Sequence, residues 1–138
     1  MLLQRMKLLL CLLFVIASFA EASNNIKPFT TDGCSSFPDG TKEHSELWLS
    51  CCSRHDLAYW QGGIAQQRVA ADQQLKQCVE QVGEPSIAAI MLAGVRVGGT
   101  PYLPTKFRWG YGWPYFRGYQ AITPREQRQI ETLLKDKN

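Results

Sequence analysis

The sequence predicts a mainly α-helical fold. Two antiparallel, disulfide-linked helices form its centre, with a metal-binding loop before them and further C-terminal helices and an aromatic loop after them. Three observations lead there. Apolar residues recur at steps of three and four over residues 46–60 and again over 64–81, with Gly62-Gly63 between the two runs. Four of the five cysteines lie outside the N-terminal apolar run, an even number that suits pairing. The first helical run also carries Cys51-Cys52-Ser53-Arg54-His55-Asp56, which puts two thiols, an imidazole and a carboxylate on one short stretch.

Taken in order, the chain opens on a leader. Arg5 and Lys7 precede an apolar run, Leu8 to Ala17, that is too short to span a bilayer, and Ala20-Glu21-Ala22 fits a cleavage site. Residues 1–22 are therefore expected to be a signal peptide, and residues 23–138 a single domain that is secreted or periplasmic. Export makes disulfides the natural state of Cys34, Cys51, Cys52 and Cys78, each bridge typically contributing ~2–4 kcal/mol.

Residues 23–45 are rich in Asn, Thr, Ser, Gly and Pro and read as loop. The first helix is predicted from Glu46 to Trp60. Leu47, Trp48, Cys51, Cys52, His55, Ala58 and Tyr59 share its broad inner face, and Gly62-Gly63 ends it. The second is predicted from Ile64 to Gln81, with Val69, Leu75, Cys78, Val79 and Val82 inward. The short link makes the pair antiparallel. A third, more apolar helix is expected over Ser86–Val97. Residues 100–120 are Gly-, Pro- and aromatic-rich with no helical period. The last helix has Thr123 as N-cap, Pro124 in its first position and Glu126 three residues after the cap.

Adjacent helical residues point about 100° apart, so Cys51 and Cys52 do not bond each other easily. One of them staples the first helix to the second, and the other staples it to the preceding loop. If Cys51 is the one that reaches Cys78, His55 lies about 6 Å along the seam and Asp72 about 9 Å along it from the other side. The two side chains can then meet. Asp72 shares a face with Leu75 and Val79, where an unpartnered carboxylate is costly, and Tyr59 lies one turn beyond His55. An Asp so placed fixes the imidazole tautomer and stabilises its protonated form. Asp56 points elsewhere, towards the loop Thr31-Asp32-Gly33-Cys34 if the second bridge ties that loop down. Two carboxylates and loop carbonyls suit a hard cation, above all calcium.

This segment resembles the secreted phospholipase A2 superfamily. The hallmark C-C-x-x-H-D matches Cys51 through Asp56, the Tyr four residues after the His matches Tyr59, and an Asp six residues before a Cys matches Asp72 and Cys78. The loop, with Pro38-Asp39 after it, looks like the compact prokaryotic branch. The similarity covers roughly residues 29–80. The glycine-rich calcium loop of the animal enzymes is absent, with Ser35-Ser36 where glycines are expected. The resemblance implies bridges Cys34–Cys52 and Cys51–Cys78, and a Ca2+ ion held by Asp56, Asp32 and the Gly33 carbonyl. It implies His55 as general base on a water that attacks a phospholipid sn-2 ester, with Asp72 and Tyr59 in support. The alternative is a non-catalytic lipid- or protein-binding module on the same scaffold.

Charge adds a second theme. The chain carries 15 Lys and Arg against 12 Asp and Glu, but no acid occurs from Pro85 to Arg125, a stretch with five cations. That half should meet anionic surfaces more readily. Lys106, Arg108, Trp109, Trp113 and Arg117 combine residues that favour membrane interfaces and anionic headgroups. The segment either docks on an anionic phospholipid surface or folds onto the core with arginines stacked on rings. Export argues against nucleic acid, and the expected state is a monomer. A zinc site on the Cys-Cys-His-Asp cluster is disfavoured by adjacent cysteines in an oxidising compartment. Asp32 and Asp39 have turn formation as their competing role.

Overall fold

The structure, a computed structural model, describes residues 25–136, so the expected signal peptide lies outside the described residues. Among those residues there are four helices and no strand. They are α1 (Leu49–Gln61), α2 (Ala65–Gln81), α3 (Pro85–Gly98) and α4 (Pro124–Lys135). The mainly-α class is therefore correct, and the boundaries of α2, α3 and α4 lie close to the periodic runs. The start of α1 does not. Glu46 to Trp48 form a turn instead, with Leu49 N donating to Glu46 O and Cys51 N to Trp48 O. Trp48 is buried there, and its indole donates to Pro38 O. No helix among the described residues is long and apolar enough to cross a membrane.

Both disulfides form as the resemblance implied. Cys34–Cys52 ties the loop to α1, and Cys51–Cys78 ties α1 to α2. The bridges sit in a core of Trp48, Leu75, Val79, Ala88 and Met91, so α3 packs over the same seam. Val69 and Val82, expected inward on α2, are instead exposed at 47% and 37%. The buried face is Arg68, Ala71, Asp72, Leu75 and Val79. An arginine with polar partners takes the inner position that hydrophobicity alone would give to its neighbour.

Helix α1 touches all three cores. Its cysteines enter the first, Trp60 joins Ile26, Trp113 and Ile130 of α4 in the second, and Tyr59 joins Ala71 and Trp109 in the third. The aromatic loop completes this arrangement by capping the end of α1. A helix leaves its last four carbonyls without partners. Here Gly110 N donates to Tyr59 O and Gly112 N to Trp60 O. The Trp113 indole donates to Gln61 O, and the Trp109 indole to Gly63 O just beyond.

That role corrects the docking expectation. Trp109 and Trp113 are buried because their rings fill the core while their N–H groups close α1. Arg108 is buried as well, donating to Thr105 O and Trp113 O and stacking 4.0 Å from the Tyr115 ring centroid. Burial holds its guanidinium below the usual arginine range. Arg117 stacks 4.3 Å from the Trp113 ring centroid and pairs with Glu126. Of the five residues proposed to dock, Lys106 alone is well exposed, at 81% of its side chain.

Candidate functional site

Helices α1 and α2, held in register by Cys51–Cys78, bring His55 and Asp72 together. His55 Nε2 lies 2.9 Å from Asp72 Oδ1. Tyr59, one turn along α1, donates to the same oxygen at 2.7 Å, and its ring lies against the imidazole. Asp72 is completely buried and His55 nearly so. With a carboxylate accepting at Nε2, the proton of the neutral ring sits on that nitrogen and Nδ1 keeps the lone pair. Burial, and then the charge of Asp72, push the Tyr59 hydroxyl far above its ordinary pKa, so it stays a donor.

Two arginines complete the set, and sequence reasoning assigned a role to neither. Arg68 donates from Nε to Tyr59 OH, and from its other nitrogens to Tyr119 OH, Val95 O and Arg96 O. Arg96 Nε lies 2.7 Å from Asp72 Oδ2. Each left a trace in the sequence. Arg68 is four residues before Asp72 and so shares its face, and Arg96 is the one charged residue between Pro85 and Gly98.

The loop before α1 is organised around Asp56 and Asp39. Thr31 Oγ donates to Asp56 Oδ2 at 2.7 Å, and Gly33 N donates to Thr31 Oγ. Asp39 accepts from Cys34 N, and a β-carbon on Gly33 would sit 2.5 Å from its carboxylate, so Asp39 is a turn former and Gly33 must be glycine. Ser35 adopts φ +57°, a left-handed conformation that favours glycine, and its hydroxyl donates to Asp32. Thr31 had not been singled out in the sequence.

Asp56 and Asp32 line one cavity of about 220 Å3, with Lys106 beside them, its Nζ 3.9 Å from Asp32 Oδ2. Burial pushes the Asp56 carboxyl up to about 6. The Thr31 hydrogen bond and His55 pull it down, and the charge of Asp32 pushes it further up. No cationic side chain forms an ion pair with Asp56 among the described residues. A carboxylate disfavoured by burial and by a second carboxylate, facing oxygen donors, suits a hard cation. No group of three or more His, Cys, Asp or Glu side chains arranged for a metal occurs among the described residues. Loop carbonyls would have to complete the shell.

A second cavity of about 350 Å3 opens on the other side of Asp56. His55, Asp56 and Tyr59 line it together with the apolar Leu75, Ile90, Met91, Val95 and Phe107 and with Gly94. Asp56, Ser35 and Phe107 line both cavities. No protein-family model, curated protein or solved structure matches this chain.

Proposed function

We propose that the chain is a calcium-dependent hydrolase of the phospholipid sn-2 ester, acting as the secreted phospholipase A2 enzymes it resembles. One observation carries this reading. An apolar groove and a carboxylate-lined cavity meet beside an imidazole held in one tautomer by a buried carboxylate. A phospholipid ester joins an acyl chain to a charged headgroup, and such a substrate suits a groove that turns from apolar to polar at one point.

In this reading His55 Nδ1 takes a proton from a water while the water oxygen attacks the ester carbonyl. Asp72 stabilises the imidazolium that forms, and the ring returns the proton to the departing glycerol oxygen. Tyr59 steadies Asp72, and Thr31 orients Asp56. Asp56, Asp32 and the Gly33 carbonyl would hold calcium, which when bound polarises the ester carbonyl and attracts the phosphate. The working location is secreted or periplasmic, on an anionic phospholipid surface, as a monomer. Contact with that surface falls to the groove's exposed rim, Ile90 and Phe107, with Lys106 beside it.

Fatty-acid release from anionic mixed vesicles tests the reading. Release should require calcium, stop with a chelator and disappear in His55→Gln. Release undiminished in His55→Gln overturns it. Vesicle binding with no hydrolysis at any calcium concentration would favour the non-catalytic module.

A further inference from the structure

Asp72 is a fully buried carboxylate whose two oxygens do different things. Oδ1 serves His55 and Tyr59. Oδ2 has no hydrogen-bond partner among the described residues and lies 2.7 Å from Arg96 Nε. The contact is therefore one of charge. Arg96 projects from the otherwise uncharged α3, reaches across the start of α2, where a terminal nitrogen donates to Val69 O, and keeps its side chain 36% exposed. Arg68 makes the contrast. It is buried, satisfied by four acceptors, and bound to the Val95 and Arg96 carbonyls, so it fastens the end of α3 to α2.

Hydrogen bonds on one oxygen do not by themselves support a carboxylate in a dry site. They also do not fix its rotation, because the terminal torsion of an Asp is broad and two-fold. We propose that Arg96 is a positioning residue for the His55–Asp72 pair. It supplies the counter-charge and holds Oδ2, so that Oδ1 stays turned to His55 Nε2. It acts through Asp72 and touches neither water nor ester. The kinetic part of this inference rests on the hydrolase reading, and the spectroscopic part does not.

The experiment compares Arg96→Met, Arg96→Lys and Arg68→Met with wild type, and repeats Arg96→Met in an Asp72→Asn background. Arg96→Met should lower kcat by about 10–100-fold, the usual effect of losing an outer partner of a ligating or catalytic group. KM should stay within about twofold, because the interaction removed is not one made to the substrate. Arg96→Lys should recover most of kcat. In 15N-resolved NMR, the hydrogen-bonded Nε2–H of His55 should be sharp in wild type, broadened or lost in Arg96→Met and restored in Arg96→Lys. In Asp72→Asn the further change to Met should alter kcat less than about twofold, because coupled residues do not add. Arg68→Met should lower the melting temperature, because it unfastens α3 from α2. An unchanged Nε2–H signal in Arg96→Met overturns the inference, as do additive losses with Asp72→Asn, or equal damage from Lys and Met together with a collapsed melting transition. If wild type releases no fatty acid from any vesicle, the hydrolase reading fails, and the Nε2–H signal alone still decides the role of Arg96.

Discussion

Two buried carboxylates in this molecule each face an arginine, and the two pairs are built differently. Glu126 is saturated. Arg117 clamps both its oxygens with a two-pronged fork at 2.7 and 3.0 Å, and Thr123 N donates to one of them as half of the capping box that starts α4. Asp72 gives one oxygen to a charge contact and keeps the other for an imidazole and a phenol. A forked pair spends the whole carboxylate on the fold. A carboxylate met on one side only retains an acceptor that can hold a base. Charge chemistry is common to both, and the approach geometry separates a structural pair from one that can serve a reaction.

The largest effect should come from neutralising each acid. If the proposed hydrolase reading holds, Asp72→Asn should lower kcat for ester hydrolysis by on the order of 10^4-fold, because an amide can present the wrong partner to Nε2 and release the tautomer. Glu126→Gln should leave kcat within about twofold. The comparison breaks if fatty-acid release falls alike in both variants.

Stability should show the reverse order for the forked pair. Truncation by Glu126→Ala leaves Arg117 buried without its partner, which costs about 3–5 kcal/mol and is measurable as a shift in the denaturant midpoint. The pH dependence follows from the hydrogen bonds of Arg117, which together with Thr123 hold the Glu126 carboxyl below its ordinary value of 4.5. A depressed folded-state pKa contributes stability that is present above 4.5 and is lost as pH falls through the lower folded value. The difference in melting temperature between wild type and Glu126→Gln should therefore be full at pH 7 and shrink steadily below 4.5. A difference that grows on acidification would contradict the forked assignment.

The grouping of His55, Tyr59 and Asp72 was legible in the sequence because periodicity placed two helices and the family resemblance named the bridge that sets their register. Once Cys51 and Cys78 are joined, His55, Tyr59 and Asp72 have little freedom in where they lie. The aromatic loop gave no such handle. Trp109 and Trp113 read equally well as membrane anchors or core, and only the open carbonyls at the end of α1 decide between them. Those carbonyls belong to a helix some fifty residues earlier, and no local pattern reports a partner that distant. Arg96 was hidden for the same reason, since a lone charge on an apolar helix does not name the carboxylate it faces. Val69 failed differently, because hydrophobicity ranked it above Arg68 while four acceptors within reach favoured the arginine.

A smaller effect should follow from crowding Tyr59, the donor the Asp72 pair has and the Glu126 pair lacks. A β-carbon on Gly99 would lie 2.6 Å from both a ring carbon and the hydroxyl of Tyr59. Gly99→Ala must therefore shift the ring and loosen its bonds to Asp72 and Arg68. Overpacking of this kind costs about 1–3 kcal/mol. A kcat loss of about tenfold should accompany it, because the Tyr59 bond to Asp72 is disturbed without being removed. Melting and fatty-acid release measured on the same preparation check both. Unchanged kcat in a destabilised variant would confine Tyr59 to the fold.

The smallest effect belongs to the groove wall, and it separates substrate shape from dyad geometry. Gly94 lies inside α3 on the lining of the apolar cavity, and a β-carbon there meets nothing within 4 Å. Glycine inside a helix is less favourable than alanine by about 0.8–1 kcal/mol. Gly94→Ala should therefore raise the melting temperature slightly, against the usual direction for a change on a cavity wall. The larger Gly94→Leu places a branched chain on the lining of that cavity. Its loss should fall on KM for long-chain phospholipids, by about five- to tenfold, and spare short-chain ones, the lower end of the ~1–3 kcal/mol that one methylene of apolar contact is worth. Chain-length profiles of wild type and Gly94→Leu read this directly. An equal loss at every chain length would mean that the acyl chain lies elsewhere and that the groove beside His55 serves another purpose.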